Sequence, residues 1–503
     1  MQTLTVFKDE KDPLSYNDKV VDHSVPDGQC VLAQNCFLDN NMIKGRYGYT
    51  MIANDTAENK PNLGFCAYEV AAGKEILKIN DNAAGTAANL FYWTGSGNWV
   101  KVASPTFTAG LRCSMCVASG KVYISNGVDP TKRWDIATLT LTDIPAIPVT
   151  PFLNWFHNFL FAMKNSRVYI SAIGDPETFA VASYVDVNPD DGDFIVGSAT
   201  LKDELIISKS IRQYSFQGWT ELSFSVTQVN EKLASYGAVS DDTFINIGND
   251  LLFMSFNGDI PHIRSLKTTE QSATIYGGVV TDPQEGTMKG LSKGQLYKVS
   301  GVFDGRKAWF FMPNGSSTTN DLSLVFDTVT QGVTKHIGIY AARAITSTIS
   351  GTRKVYFADS RNSKVYVMDT STSDNGLPIE VIYISRRYQP DFTRKMKWKY
   401  LYIQYNRVST GDMKVYTSVD DFDWDLLETL DLNPPVAAFP FQFAFQMSAS
   451  PEGDVRIELP YNVNRNIQVK YYKNDTTAPM EVHDTAFYLK PKALREEIPF
   501  PSA

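Results

Sequence analysis

The sequence predicts an all-β protein: a β-propeller of about seven blades, within a range of six to eight, followed by a C-terminal β-sandwich. Three observations carry that reading. The first is a recurring run of alternating apolar and polar residues, often closing on an aromatic pair, followed by a Gly/Asn/Asp/Pro turn. Examples are Lys121-Val-Tyr-Ile-Ser-Asn-Gly-Val-Asp-Pro130, Arg167-Val-Tyr-Ile-Ser-Ala-Ile-Gly-Asp-Pro176 and Lys354-Val-Tyr-Phe-Ala-Asp-Ser-Arg-Asn362. Asp250-Leu-Leu-Phe-Met-Ser-Phe-Asn-Gly258 and Ala308-Trp-Phe-Phe-Met-Pro-Asn-Gly315 are similar. The second is composition: aromatics make up 12% of the chain, with 25 Tyr and 29 Phe, which favours sheet over helix. The third is that no stretch combines sustained 3.6-residue periodicity with caps.

Taken in order, residues 1 to about 27 are polar, with Asp12-Pro13 and Pro26-Asp27-Gly28 as breakers, and read as an extended arm. Gln29 to Tyr49 reads as two short strands flanking the Asp39-Asn-Asn41 turn, so residues 1–62 form an arm and strand pair. Strand signals then run without a break, in units near 63–104, 109–145, 150–188, 193–230, 236–276, 290–340 and 342–370. Each unit holds three or four strand candidates, the content of a propeller blade, which places the propeller at 63–374. After Asp374-Asn-Gly-Leu-Pro378 the pattern changes. Long amphipathic strands follow at Ile379–Ile384, Trp398–Tyr405, Met413–Ser418, Phe441–Gln446, Val455–Leu459 and Ile467–Tyr471. Strict alternation gives each one buried and one wet face, the signature of a β-sandwich platform over 375–490. A Pro-rich tail, 491–503, ends the chain.

At 503 residues the chain exceeds what one core serves, so more than one domain is expected. A formal net charge of −8 argues against tight phosphate-backbone binding, which needs clustered Lys and Arg. It is compatible with an acidic wall that DNA passes without sticking. The five cysteines, Cys30, Cys36, Cys66, Cys113 and Cys116, do not have the spacing of a disulfide-rich module, so reduced thiols from a cytoplasmic synthesis are expected. No signal peptide and no apolar run long enough to span a bilayer is expected.

The chemistry-bearing residue types form no strong constellation. Cys113-Ser-Met-Cys116 is a CxxC, but it sits in a strand-like run without a second ligand pair, and reads as two small buried hydrophobes. His23, His157, His262, His336 and His483 are scattered. Asp190-Asp-Gly-Asp193 lacks the rest of a calcium loop, and Asp420-Asp-Phe-Asp423 reads as a hairpin turn that returns Trp424 to the core. No Gly-rich phosphate loop and no nucleophile elbow is present. No catalytic residue, metal ligand or cofactor is therefore expected. The concentrated positive feature is Arg386, Arg387, Arg394, Lys395, Lys397 and Lys399, interleaved with aromatics. It is a possible interaction patch, open to nucleic acid, to an acidic neighbouring subunit, or to solvent alone.

Several segments resemble a known family. Gln29 to Tyr49 carries an Asn-(apolar)-x-(apolar)-Asp-Asn pattern followed by Arg46-Tyr-Gly-Tyr49. Asn158–Phe179 carries Arg-(apolar)-Tyr-x-Ser followed by Gly-Asp-Pro-Glu-x-(aromatic). Asp193–Gly197 with Leu205–Gly218, and Phe392–Ile403, add a blade-like run and a sandwich lead-in. Together these resemble the tail nozzle and packaged-DNA stabilisation proteins of short-tailed bacteriophages. The resemblance implies a structural virion subunit of the tail, made in the host bacterial cytoplasm and assembled as a ring, usually a hexamer. Such a ring lines and gates the distal DNA channel, helps retain packaged DNA and anchors adaptor and fibre proteins, and it can meet the host outer surface. The rival expectation is a carbohydrate-binding or glycan-degrading propeller at the bacterial surface, since abundant Trp and Tyr suit sugar stacking. That rival predicts a central pocket with close carboxylates.

Overall fold

The computed structural model describes residues 5–7, 13–39, 42–53, 59–70, 73–217, 228–233, 235–271, 278–390, 395–407, 410–420, 423–434, 452–461 and 463–491. The chain forms two compact units. One comprises Tyr49–Val329 and Ile337–Asp369; the other comprises Met1–Gly48, Thr330–His336 and Thr370–Ala503.

The first unit is a seven-bladed propeller. Blade 1 holds Asn62–Val70, Gly73–Asp81, Ala88–Trp93 and Val100–Lys101; blade 2 holds Ser114–Ala118, Lys121–Ser125, Lys132–Asp135 and Thr140–Asp143. Blade 3 holds Phe152–Phe156, Phe159–Lys164, Arg167–Ile170 and Tyr184–Asp186; blade 4 holds Ile195–Leu201, Glu204–Lys209, Gln213–Gln217 and Gln228–Leu233. Blade 5 is built from Ile245–Asn246, Leu251–Ser255 and His262–Ser265, with a single bridge from Arg264 to Val279. Ser300–Phe303, Lys307–Met312 and Leu322–Asp327 make blade 6. Ala341–Ser347, Lys354–Asp359 and Val365–Ser371 make blade 7, whose outer strand, Gly48–Met51, comes from the other end of the chain. The first strand of each blade packs against the first strands of the blades before and after it, and Ala341–Ser347 returns to Asn62–Val70. That closed cycle makes these seven strands the inner lining of a ring.

The cores lie between blades. Phe159, Phe161, Met163 and Val168 of blade 3 pack on Leu205, Ile207, Tyr214 and Phe216 of blade 4. Leu77, Leu90 and Tyr68 of blade 1 pack on Val122, Ile124 and Trp134 of blade 2. Phe65, Ile76, Phe91 and Trp93 of blade 1 pack on Tyr356, Ala358 and Val365 of blade 7, sealing the ring. Because each blade is covered on both faces, its middle strands are buried almost throughout, as in Leu251–Ser255 and Lys307–Met312. That is why their sequences read as near-continuous apolar runs instead of alternating ones.

The second unit is a β-sandwich. Sheet 1 runs Glu452–Glu458, Met396–Asn406, Glu481–Pro491, Met42–Gly45, Cys36–Asp39, and Thr5–Phe7 also pairs with Glu481–Pro491. Sheet 2 runs Leu32–Gln34, Ile379–Ile384, Ile467–Asp475, Asp412–Val419, Asp425–Asp431. The sheets face each other: the Tyr471 hydroxyl of sheet 2 lies 2.7 Å from the Thr485 hydroxyl of sheet 1. Within sheet 1, Trp398 packs edge-on against Phe487 at 5.4 Å.

Three expectations differ from this architecture. Residues 1–62 are not a separate arm and strand pair, because Gln29 to Gly45 hydrogen-bonds into both sandwich sheets while Gly48–Met51 completes blade 7. The propeller therefore begins at Tyr49 rather than 63, and it lends Thr330–His336 to the sandwich, where Lys335 pairs with Gln34. Trp424 is half-buried beneath the Lys470 ammonium, 4.9 Å away, and does not reach the core. The expected strand Phe441–Gln446 and the tail beyond Pro491 lie outside the described residues.

Candidate functional site: the propeller axis and the basic strand

The axis is crossed by an ion cluster. Arg112 stands just before the inner strand of blade 2, Asp242 just before that of blade 5, and Arg343 within that of blade 7. Both guanidiniums donate to Asp242 Oδ2, Arg343 Nε at 2.8 Å. Arg112 also donates to the Tyr297 carbonyl, before the inner strand of blade 6, and Arg343 to the Cys113 carbonyl. Blades 2, 5 and 7 are not neighbours in the ring, so these bonds can only be made across the axis. Beside them, Asp241 Oδ1 accepts the Ser198 amide of blade 4 at 3.0 Å, and the Ser198 hydroxyl accepts Asn154 Nδ2 of blade 3 at 2.9 Å. Gly197 is required at this contact: a Cβ there would lie 2.3 Å from Asp241 Oδ1.

The two acids are driven apart. Burial, aided by the neighbouring Asp242 charge, pushes the Asp241 carboxyl up to about 7. Burial works against the ionised form of Asp242 as well, but Arg343 and Arg112 outweigh it and hold that carboxyl below its ordinary value. None of these three charged residues stands out in sequence, because the chain between them spans several blades. The available signal is positional: each sits at the start of an inner strand, which comparison of the blade units exposes.

A second polar centre anchors the sandwich, and three of its residues, Asn35, Arg46 and Gly48, lie within Gln29 to Tyr49. Arg46 forms a two-pronged bond to Asp374, at 2.7 Å and 2.5 Å, with its guanidinium 2% exposed. Arg46 Nε donates to Asn35 Oδ1 at 3.0 Å, and Asn35 Nδ2 donates to the Glu380 carbonyl at 2.9 Å. Asn35 adopts φ 54, a conformation that asparagine tolerates better than most residues. Gly48 is obligatory by space, since a Cβ would lie 2.0 Å from the Ser373 carbonyl oxygen.

The basic stretch separates into two parts. Arg386 pairs with Asp27, while Arg387 pairs with Asp22 at 3.8 Å and donates to Asn466 at 3.2 Å, so both tie the N-terminal segment down. Arg394 lies outside the described residues, and Lys395 is exposed. Lys397 and Lys399 lie on the solvent side of Met396–Asn406. Lys490, directly across from Lys397, joins them from a strand far along the chain. Lys399 foremost, with Lys490 adding to it, holds the Lys397 ammonium below its ordinary value.

The remaining candidates are structural. Cys113 is buried, and burial pushes its thiol up to about 12, the opposite of a reactive thiolate. Asp191 accepts the fully buried Lys209 ammonium at 2.7 Å, and Asp193 accepts the Ser210 and Ile211 amides at 3.1 and 3.0 Å, so this acidic turn latches blade 4. Asp420 accepts the Arg465 and Asn466 amides. Among the described residues no three His, Cys, Asp or Glu side chains converge to hold a metal ion.

No protein-family profile matches the chain. No curated protein matches it either. Among solved structures, it is similar to the Pan2 WD40 domain of Neurospora crassa, with 7% identity and a TM-score of 0.41 over 64% of this chain and 96% of that one. It is also similar to YCF48 bound to D1 peptide, with 10% identity and a TM-score of 0.38 over 66% of this chain and 98% of that one. The seven-bladed assignment rests on the closed cycle of inner strands.

Proposed function

We propose that this protein is a non-enzymatic structural subunit of a phage tail, a ring-forming nozzle or hub protein. The ring, a hexamer on the family pattern, lines the distal DNA channel, helps retain packaged DNA and binds adaptor and fibre proteins. One observation supports this reading above others. Three residues of the first resembling segment, Asn35, Arg46 and Gly48, are ones that the sandwich cannot replace without loss of a buried bond or a steric clash. A motif explained by architecture suits a structural family. The clasped axis is consistent with this reading: Arg112, Asp242 and Arg343 bond across it, so the DNA channel of this proposal runs between copies.

The test is mass photometry with negative-stain imaging of the purified protein. The expected result is a ring with a central channel. A strictly monomeric particle at micromolar concentration, even with the other tail proteins added, would overturn the proposal.

One observation favours the glycan-active alternative. Asp241 and Asp242 are adjacent acids with divergent proton affinities, a pattern found in general acid–base pairs. Against it, Asp242 is held by two guanidiniums and Asp241 is packed against Gly197. Turnover on a polysaccharide panel, lost in Asp241→Asn, would establish that reading in place of the first.

A further inference from the structure

Two charged surfaces of the sandwich are complementary, and they lie on different sheets. On sheet 1 a β-bulge falls between Trp398 and Tyr400, at Lys399. Strand alternation puts Lys399 on the same outer side as Lys397, and the bulge shifts the buried set, Met396 and Trp398, to Leu401 and Ile403. Lys490 sits opposite Lys397. On sheet 2, Asp425–Asp431 pairs with one strand, Asp412–Val419, and is the edge among the described residues. A bulge falls there too, between Val415 and Tyr416, and it brings Asp425 and Glu428 to the same side. Both acids are exposed, as are Asp423, Asp431 and Leu426, the last at 52%. Asp425 also accepts the Tyr461 hydroxyl at 3.0 Å, which fixes its position.

The spacings match. Lys397 and Lys399, like Asp425 and Glu428, are separated by about two strand positions, or roughly 7 Å at about 3.3 Å per residue. The lysines point away from sheet 2, so the acidic edge of the same copy cannot reach them. A contact between the two surfaces must therefore be made with a second copy, and it is head-to-tail, the kind that closes into a ring or runs on as a filament.

Resting on the ring-forming reading above, we propose that the Lys397/Lys399/Lys490 surface of one copy docks the acidic edge strand Asp425–Asp431 of the next. A nucleic acid fits this surface less well. Further along the same strand Gln404 is flanked by Asp454 on one side and Asp484 on the other, so a phosphate chain running along the strand from the lysines passes Arg456, opposite Tyr402, and then meets carboxylates. A short acidic strand of the same width as the lysine group avoids them. Crowding of three ammonium groups, relieved by facing carboxylates, adds to the attraction.

Charge reversal tests the pairing, read by analytical ultracentrifugation of the full chain at low and high salt. Lys397→Glu with Lys399→Glu, and separately Asp425→Lys with Glu428→Lys, are each expected to weaken assembly at least tenfold. The four changes combined are expected to restore it, because each copy then carries both reversed surfaces. Circular dichroism melts check that every variant is folded. A wild-type monomer defeats the ring reading and this one together. A wild-type oligomer unmoved by either reversal defeats this inference alone. So does loss, in the lysine variant, of binding to a fluorescent single-stranded oligonucleotide while assembly persists.

Discussion

Arg46 is the residue whose loss should be felt most in the sandwich. Its guanidinium is 2% exposed and holds Asp374, whose carboxyl burial pushes up despite that pairing. Arg46→Met leaves Asp374 without its partner and is expected to cost about 3–5 kcal/mol in denaturant unfolding. Arg46→Lys, which keeps the charge but loses the fork, should cost less, and equal losses for the two would contradict the geometry. The strand pair leading to Arg46 was legible in sequence from its Asp39-Asn-Asn41 turn. The partner of Arg46, Asp374, was not, because 328 residues separate the two and only folding brings them together. The basic stretch shows the same limit. Six neighbouring cations suggest one patch, yet Arg386 and Arg387 are consumed by Asp22 and Asp27, and Lys490 arrives from elsewhere.

Among elements, Gly48–Met51 decides the closure of the propeller. It supplies the outer strand of blade 7, so the first and last parts of the ring are stitched in one sheet. Tyr49 fixes this strand: it is 6% exposed, donates to the Gly338 carbonyl at 2.9 Å and meets Phe357 and Tyr366 edge-on at 5.0 and 4.9 Å. Tyr49→Ala is expected to destabilise by about 3–5 kcal/mol, as for other buried aromatics. Hydrogen exchange should rise in Val365–Ser371 before it rises in blades 2 to 4, and uniform exchange across the blades would argue against a closing role. The blades themselves were visible as units because each is a local meander with its own turns. The closing strand was hidden, since its pairing partner lies at the far end of the propeller and its local pattern fits the preceding hairpin equally well.

For the molecule as a whole, the axis makes stability depend on pH. Asp241 has its folded pKa raised to about 7, so its contribution is complete below its ordinary value and is lost as pH rises toward 7. Asp242 is lowered, so its contribution is present above its ordinary value and is lost as pH falls through the depressed one. The clasp is therefore strongest in mildly acid solution, with Asp242 ionised and Asp241 protonated. Asp241→Asn should flatten the fall in melting temperature between about pH 4 and pH 7. An unchanged slope would mean that Asp241 titrates normally. The sequence alone determined the all-β class, a propeller of six to eight repeating units and the change to amphipathic strands near residue 375, because strand periodicity and turn chemistry are written within a few neighbouring residues. Only the tertiary structure decided that the N-terminal segment divides between the sandwich and blade 7, that Arg112, Asp242 and Arg343 meet across the axis, and that Lys490 completes the basic surface. Each of those depends on strand pairing and burial between distant segments, whose free energy comes from contacts that no local pattern records.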